Sequence, residues 1–337
     1  MRKIDLTNFT VATSETARHI NRRIALNLIR RHQPLSRAEL ARRSGLQRST
    51  VSAIISQLIH EGWVTEGASV VSVRGRRPRY LHLNVERAGI VAVDIRPGTT
   101  RVALAGLDAR LVMQTSWPTP ASPEAFAAEL ADTVRTFKRT HGEIVCEGVG
   151  VSVVGRINAS GHLVFAPNLG WPPVELKQIV ESAVGLPVAV ENAASACALA
   201  ELLFGRLPDD VKHLAAVTIS EGVGVGLLVN GQLIHGHNAM AGEFGQVPLV
   251  ENGIPCPCGK RGCWEQYASN TATVRYYLGE QPGERPAPAM TIEEVLRLAG
   301  EGDSRALEAL DRAAHYIGLG MAPVMTGLAP QVVVVVG

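Results

Sequence analysis

Apolar residues near the N-terminus recur at the spacing of α-helices in short blocks. The first block, with Ile24, Leu28 and Ile29, predicts a helix that ends before Pro34. The residues ahead of this block are polar and lack periodicity, which predicts a flexible arm over 1–19. The chain is therefore expected to begin its first domain at about residue 20.

Two further helical blocks are separated by a glycine. Ser36 and Glu39 have the spacing of a capping box, which predicts the start of a second helix. Gly45 is expected to end that helix, and a third helix then follows. Two helices joined across such a turn are typical of a helix-turn-helix. The apolar face of the third helix comprises Val51, Ile54, Ile55, Leu58 and Ile59.

The opposite face of the third helix is polar, and its polar residues cluster toward the helix start. A recognition helix presents residues of this kind to base edges and phosphates in the major groove of DNA. A three-helix protein-interaction module would have a similar face, so the helix alone leaves both alternatives open. The predicted DNA-contacting residues here are Gln47, Arg48, Ser49, Thr50 and Ser52.

An arginine-rich segment follows, and it favours DNA binding over the protein-interaction module. It lies between Trp63-Val64-Thr65 and the alternating strand Tyr80–Leu83, a pattern that predicts two strands around a basic loop, or wing. Guanidinium groups suit the negative potential of a narrow minor groove. We therefore predict a winged helix-turn-helix DNA-binding domain over 20–87. The predicted contacts from the wing are Arg74, Arg76, Arg77 and Arg79.

The charge distribution agrees with this division of the chain. The net charge of the 337 residues is only +2, but residues 1–87 contain 16 Lys and Arg against 6 Asp and Glu. The remainder contains 17 against 25, so a basic head precedes an acidic body. No apolar run approaches the ~20 residues of a membrane span, and no signal peptide is evident. We expect a cytoplasmic protein without membrane contact.

Three of the five cysteines fall within eight residues. The spacing Cys256-x-Cys258-x4-Cys263, with Gly259 and Gly262 to turn the loop, suits a single tetrahedral zinc ion. A disulfide is the alternative, but cysteines at positions i and i+2 rarely meet disulfide geometry. The pattern therefore predicts a zinc site, in keeping with thiols in a reducing compartment.

The cysteine stretch also resembles a known family. The blocks G-E-F-G-Q-V-P-L at 242–249 and C-P-C-G-K-R-G-C-W-E at 256–265 resemble the signature of the ROK family (repressors, open reading frames and sugar kinases). Three further blocks resemble the family in order, at 148–155, 166–171 and 190–196.

The resemblance implies a fold and a division into domains. It implies an α/β protein in which the winged helix-turn-helix is followed by a two-lobed, actin-like (ribonuclease H-like) ATPase fold of the ROK type. The lobes are expected at 88–193 and 194–337, the second with the zinc loop. Family members normally continue past the strand Gln331–Val336, so the resemblance implies either that the chain is truncated at Gly337 or that it lacks elements of its relatives.

The resemblance further implies a ligand site in the cleft between the lobes. Glu243 and Glu265 match positions whose carboxylates hold sugar hydroxyls in the family. The family's fourth zinc ligand, a histidine, is Gln246 in this chain, which leaves water, His235 or His237 as alternatives. The implied ligand-binding residues are Asn168, Asn192, Glu243, Gln246 and Glu265, and the implied zinc ligands are Cys256, Cys258 and Cys263.

This sequence departs from the family's kinases at the positions that handle ATP and the transferred phosphate. The first phosphate loop, D-x-G-G-T-K in the kinases, contains Arg96 and Pro97, which add a side chain and remove an amide donor. Glu221 places a carboxylate in the second phosphate loop. The aspartate that serves as general base is Ala193, whose methyl group cannot accept a proton. We therefore expect no enzymatic activity.

The expected function is a DNA-binding transcriptional repressor of carbohydrate-metabolism genes. Its partners would be a double-stranded operator, a sugar or sugar-phosphate effector, and further copies of the chain in a homodimer or homotetramer. One alternative is a ROK-type sugar kinase that carries a DNA-binding head. Another is an architectural DNA-binding protein whose body senses no ligand.

Overall fold

The computed structural model describes residues 14–67, 79–85, 87–208, 210–280 and 290–337. The chain divides into two compact units. The first contains the described residues of 1–90 together with 105–112 and 140–147, and the second contains those of 91–104, 113–139 and 148–337.

The head has the predicted helix-turn-helix. Ser36 caps α2, since its hydroxyl accepts from the Glu39 amide while the Glu39 carboxylate accepts from the Ser36 amide, which is a complete capping box. Gly45 ends α2 in the left-handed conformation, with φ 70°. The elements are α1 (Ser14–His32), β1 (Leu35–Ser36), α2 (Arg37–Ser44), α3 (Arg48–His60), β2 (Val64–Gly67) and β3 (Tyr80–Leu83).

The first helix begins earlier than the apolar pattern predicts. Residues 14–19, expected within the flexible arm, form the first turns of α1. The reason is polar and long-range: Arg18 donates to Gln57 over 2.7 Å, and Arg22 forms a bidentate ion pair with Glu61. Apolar periodicity carries no information about such contacts, so the prediction for 14–19 was wrong. Residues 1–13 lie outside the described part of the chain.

The head closes on one apolar core. Ile29 of α1, Leu40 of α2 and Ile55 of α3 are fully buried in it, and Leu81 of β3 joins them. The strands pair antiparallel in the order β1-β3-β2, which confirms the two strands of the predicted wing. The arginine-rich tip between those strands lies outside the described residues.

The first lobe is built on a five-stranded sheet with the order β10-β7-β4-β5-β6. Phe126, Leu130, Val134 and Phe137 recur on one face of α4 and are buried there, as its amphipathic pattern predicts. The elements are β4 (Ala88–Ile95), β5 (Thr99–Gly106), β6 (Leu111–Pro118), α4 (Pro123–Thr140), β7 (Val145–Val153), β8 (Arg156–Ile157), β9 (Leu163–Phe165), α5 (Leu176–Val184) and β10 (Val188–Asn192).

The second lobe places a four-stranded sheet, in the order β13-β12-β11-β14, between two apolar layers. Leu214 and Ala216 of β11 pack in the layer with Ala198 of α6, whereas Ala215 and Val217 pack in the layer that contains Trp264. The elements are α6 (Ala193–Phe204), β11 (Leu214–Ile219), β12 (Val223–Val229), β13 (Gln232–Leu233), α7 (Glu265–Ala268), α8 (Asn270–Leu278), α9 (Ile292–Gly300), α10 (Ser304–Leu328) and β14 (Val332–Val336).

The compact units do not follow the predicted domain boundary at 87/88. Residues 105–112 and 140–147, predicted as first lobe, group with the head. Two side chains account for part of this: Val85 and Leu107 both pack against the head's apolar core. The amide of Val145 also donates to the carbonyl of Arg87 over 2.9 Å. In the described residues, no helix is long and apolar enough to span a membrane.

Candidate functional site

The start of α3 presents the polar face predicted to contact DNA. Gln47, Arg48, Ser49 and Ser52 are exposed, and Thr50 is half-buried. Gln47 occupies the position that precedes the helix, so these side chains surround its N-terminal turn. An exposed, positively charged helix start is the arrangement that a major-groove reader needs.

The second half of α3 is held by other elements of the head. Gln57 accepts from Arg18 and donates to Glu61, and the ion pair with Arg22 lowers the pKa of Glu61 to about 2. Arg37 donates to Ser56 Oγ over 3.4 Å and also pairs with Glu66. The free polar surface of the helix is therefore its N-terminal half.

One predicted wing residue is described. Arg79 is exposed and lies 3.6 Å from the carboxylate of Glu66, measured between Nη1 and Oε2. This weak surface contact leaves the guanidinium free to turn toward another anion. Arg74, Arg76 and Arg77 lie outside the described residues, and their role stays a prediction.

In the body, Asn168 and Glu265 converge on the turn that contains Gly222. A Cβ atom placed on Gly222 would lie 3.0 Å from Glu265 Oε2 and 3.5 Å from Asn168 Nδ2. Glycine at this turn therefore leaves open the space that both polar side chains border. An amide donor and a carboxylate acceptor so placed suit a polyhydroxylated ligand.

Asn192 has a structural task beside its predicted ligand role. Its Oδ1 accepts from the amides of Ala194 and Ser195, which caps α6, and its Nδ2 donates to the carbonyl of Gly155 over 2.7 Å. The amide oxygen thus already accepts two hydrogen bonds, so a ligand would meet Asn192 only through the second N–H of Nδ2.

Glu243 lies in a 3₁₀ turn, Glu243–Gln246, and is half-buried. Burial raises the pKa of Glu243 to about 7; the positive charge of Arg156 opposes this shift, and the charge of Glu265 adds to it. Burial likewise raises the pKa of Glu265. The charge of Glu265 thus reaches the Glu243 carboxyl group, as expected of residues that border one site.

The three cysteines come together as predicted. Their Sγ atoms all lie within 4.8 Å of one another, and Cys258 Sγ is 3.6 Å from Cys263 Sγ. Gly262 has φ 75°, and a Cβ atom there would overlap the carbonyl oxygen of Val250, so the loop requires glycine at this position. This group could hold a metal ion.

The donor set fits a thiophilic cation. Burial raises the pKa of Cys256, and it raises the pKa of Cys263 to about 11, so the thiolates need a positive charge beside them. Within the described part of the chain no histidine joins this group. His235 instead lies 2.9 Å from Glu191, between Nε2 and Oε2. Gln246 approaches through its backbone, since its carbonyl oxygen lies 3.6 Å from Cys263 Sγ.

One hydrogen bond links the cysteine group to the cleft. Cys256 Sγ donates to Glu265 Oε1 over 3.0 Å, while Oε2 of the same carboxylate borders Gly222. Glu265 therefore contacts both sites, which follows from its position two residues after Cys263 at the start of α7.

The positions of kinase chemistry are occupied by other interactions. Arg96 folds back onto Asp94, with Nε 2.8 Å from Oδ2, and Ser152 donates to the other oxygen of Asp94 over 3.2 Å. Ala193 is the first residue of α6, directly after the capping asparagine. Ala193 therefore provides no carboxylate base. The loop that contains Arg96 is occupied by the ion pair between Arg96 and Asp94.

Comparison with known proteins identifies the family. A statistical model of the ROK family matches residues 90–337, and a model of the IclR helix-turn-helix domain matches residues 25–67. The chain belongs to the ROK family. This ROK chain has the fold expected from the resemblance, a helix-turn-helix domain followed by the actin-like ATPase fold.

Relatives of this ROK protein include both regulators and enzymes. It is 31% identical over 330 residues to the xylose repressor of Bacillus subtilis (strain 168), covering 96% of this chain and 83% of the relative. It is 38% identical over 221 residues to the glucokinase of Streptomyces coelicolor, covering 65% of this chain and 66% of the enzyme. The second match spans less of the chain than the first.

Similar solved structures also include both a regulator and an enzyme. A ROK family transcriptional regulator, described as a homolog of the E. coli MLC protein, superposes with a TM-score of 0.78 at 25% identity, covering 95% of this chain and 83% of that one. A ROK family glucokinase from Streptomyces griseus, in complex with glucose and AMPPNP, gives 0.66 at 29% identity, covering 74% and 82%.

Two charged features of the site escaped the sequence analysis. Arg156 lies beside the predicted ligand residues, and Glu191 pairs with His235 from a distant part of the chain. Neither shows periodicity or motif spacing, because each depends on contacts between residues far apart in sequence. The position of Glu191 immediately before Asn192 was the available signal for that residue.

Proposed function

We propose that this protein is a transcriptional repressor of carbohydrate-metabolism genes that responds to a sugar or sugar-phosphate effector. The observation that carries the proposal is the exposed basic start of α3 on a capped helix-turn-helix, joined to a ROK body. The relatives named xylose repressor and the MLC-like regulator match almost the whole chain, head included, which supports the same function.

The proposed DNA contacts are the exposed residues at the start of α3 and the arginines of the wing. Two copies of the head would read the two halves of an operator, so the functional form is a homodimer or homotetramer. Arg48 is suited to guanine, whereas the serines are suited to phosphate.

The proposed effector site consists of Asn168, Asn192, Glu243, Gln246 and Glu265. The effector would lower operator affinity by binding more tightly to the arrangement of the protein that releases DNA. Cys256, Cys258 and Cys263 would hold a structural zinc ion, whose fourth ligand is water or another group. The ion would supply positive charge and a fixed loop geometry, while the chain's own Glu265 acts as the hydroxyl acceptor.

DNA binding is tested by fluorescence anisotropy with the operator found by footprinting upstream of the protein's own gene. Affinity should fall steeply with salt, with a log–log slope of about −0.9 per phosphate contact. Arg48→Ala should weaken binding and relax base preference at one position. Arg139→Ala removes the same charge from an exposed position on α4 and is the matched control. Equal behaviour of the two variants would refute the assignment of α3 as the reader.

Effector binding is tested by thermal shift across a panel of sugars and sugar phosphates. A reproducible, concentration-dependent rise in Tm is expected for one class of compound. Glu265→Gln should reduce that rise. If no compound of the panel shifts Tm, the alternative of an architectural DNA-binding protein is favoured.

Sugar phosphorylation is the second candidate function, and the match to a glucokinase over 221 residues favours testing it. We propose that the chain has no kinase activity, because Ala193 offers no base and Arg96 occupies the first phosphate loop. A coupled assay with ATP and a panel of hexoses should give no turnover above background. Turnover at a rate typical of a kinase would overturn this assignment.

A further inference from the structure

Arg156 occupies a fixed position beside the candidate effector site. It is the first residue of β8 and follows Gly155, whose carbonyl accepts from the amide of Asn192. Gly155 has φ 140°, and a Cβ atom there would lie 2.7 Å from the carbonyl oxygen of Phe165. The backbone that precedes Arg156 is therefore packed closely against β9, the strand with which β8 pairs.

The guanidinium of Arg156 has only weak partners. It lies over the ring of Phe165, 5.1 Å from the centroid, and Nη1 contacts Met240 Sδ at 2.7 Å. Its Nε is buried and has no hydrogen-bond partner among the residues that the structure describes. Within the same residues, no carboxylate oxygen lies within 4.0 Å of it.

A cation in this state costs free energy. A buried donor without an acceptor loses the hydrogen bond that water would provide, and the loss is greater when the group is charged. A thioether sulfur is a poor acceptor for a guanidinium, so the contact with Met240 compensates little. Groups left in this condition in a folded protein call for an explanation, and a ligand that supplies the missing acceptor is one.

Arg156 lies near one of the residues that are proposed to bind the sugar, Glu243. Met240 lies three residues before Glu243, and the Glu243 amide approaches the Met240 carbonyl at 3.5 Å. The influence of Arg156 on the Glu243 carboxyl group, described above, is a second sign that the two are close. The cation is therefore near the Glu243 carboxyl group, which would hold a sugar hydroxyl.

We propose that Arg156 determines effector specificity by binding an anionic substituent, a phosphate or a carboxylate, on the sugar held by Glu243 and Glu265. This inference rests on the proposed function, since it assumes that the cleft takes a sugar. A guanidinium fork presents parallel donors that match two oxygens of either group, and the unpartnered Nε belongs to that fork. The anion would displace the weak contact with Met240.

The competing explanation is that Arg156 only offsets the charge of Glu243. The two explanations differ in which ligands suffer when the cation is removed. A charge-offsetting residue would affect every sugar alike, because it acts through Glu243. A specificity-determining residue would affect anionic sugars and spare neutral ones.

The test is isothermal titration calorimetry on the full chain with neutral pentoses and hexoses, their phosphates, and the corresponding uronic acids. The phosphate and carboxylate series identify which anion is recognised, and inorganic phosphate alone is the control ligand. For the wild type, one anionic sugar should bind about tenfold or more tightly than its neutral parent, the gain expected for a charge-assisted hydrogen bond.

Substitutions then assign that gain to the guanidinium. Arg156→Gln should abolish the preference and leave the affinity for the neutral parent within about twofold. Arg156→Lys, which keeps the charge but not the fork, should restore part of the preference and guards against a misfolded glutamine variant. Met240→Leu removes the weak acceptor and should leave the preference intact.

Two results would overturn the inference while the proposed function stands. One is a neutral sugar that binds the wild type as tightly as its anionic derivatives and is lost in Glu265→Gln. The other is an equal loss of neutral and anionic sugars in Arg156→Gln. If no member of the panel binds the wild type, the proposed effector function and this inference both fail.

Discussion

Glu243 carries a carboxyl group whose ionisation is opposed by its surroundings. Its pKa is about 7 in the folded protein, against a reference value of 4.5, because burial penalises the charged form. Between pH 4.5 and 7 the folded chain holds a proton that the unfolded chain has lost, so stability falls as pH rises through this window. Above about pH 7 both states are ionised and the penalty is constant.

Glu243→Gln cannot ionise and should escape this penalty. We expect its Tm to rise relative to that of the wild type as pH increases from 5 to 7, and the difference to level off near pH 8. Thermal unfolding at four pH values, with equal metal content in both proteins, measures this. A difference in Tm that does not change with pH would show that Glu243 is ionised throughout the range.

At this scale the sequence indicates residue types well and their environment poorly. The motif with Glu243 and Glu265 places both carboxylates at one site because their spacing belongs to a known loop. The cation that acts on Glu243, Arg156, comes from another part of the chain, and only the folded structure brings the two together. Likewise Asn192 was predicted as a ligand, but its helix-capping hydrogen bonds could not be inferred without knowing where α6 begins.

Among the secondary-structure elements, α10 packs closely on Trp264, the residue that follows Cys263. A Cβ atom on Gly320 would overlap the indole of Trp264, which is buried and donates to the carbonyl of Tyr316 over 2.8 Å. Gly320→Ala should therefore destabilise the protein by about 1–3 kcal/mol through overpacking.

Gly318 is the matched control on the same helix. It is exposed, and a Cβ atom there would meet nothing within 4 Å. Gly318→Ala should stabilise the helix by roughly 0.5–1 kcal/mol, because alanine loses less conformational entropy. Denaturant unfolding compares the two variants. Equal effects would mean that α10 does not approach Trp264 as described.

The start of α6 offers a separate test. Asn192→Ala removes two hydrogen bonds to helix amides and one to the Gly155 carbonyl, and should cost about 1–2 kcal/mol. Asn192→Ser retains a capping oxygen and should recover most of this. If thermal unfolding shows no loss in the alanine variant, the capping role assigned to Asn192 is wrong.

The helices and strands agree closely with those predicted from the sequence where one face of the element is apolar. The face of α3 and the capping box of α2 were predictable because both signals are local. The first turns of α1 were not predictable, because they are stabilised by polar partners 39 residues away in the sequence. Strand β6 also went unpredicted; most of its side chains are exposed, and it shows no apolar alternation.

At the scale of the whole molecule, kinase chemistry would require groups from both lobes. The first lobe contributes Arg96 in the phosphate loop and ends at Ala193, and the second contributes Glu221. Restoring the base alone, as Ala193→Asp, should therefore yield no ATP-dependent turnover. The coupled assay on this variant checks the prediction, and turnover above that of the unmodified protein would show that the loops still accept a nucleotide.

The order of domains was predictable from charge and motifs, because a basic head and an acidic body differ in composition along the chain. The compact units could not be predicted, since segments at 105–112 and 140–147 join the head through contacts made only after folding. Family membership predicted the fold, but it does not identify the effector.

Helix α3 combines an anchored second half with a start that is proposed to contact DNA, and this division affects how the protein can evolve. Its second half is anchored by Arg18, Arg22 and Arg37, whereas the first half projects unsupported side chains. Changes at Arg48, Ser49 or Ser52 leave those anchors untouched. After gene duplication, a copy could thus acquire a new target sequence by a few surface substitutions, without first having to regain a folded head.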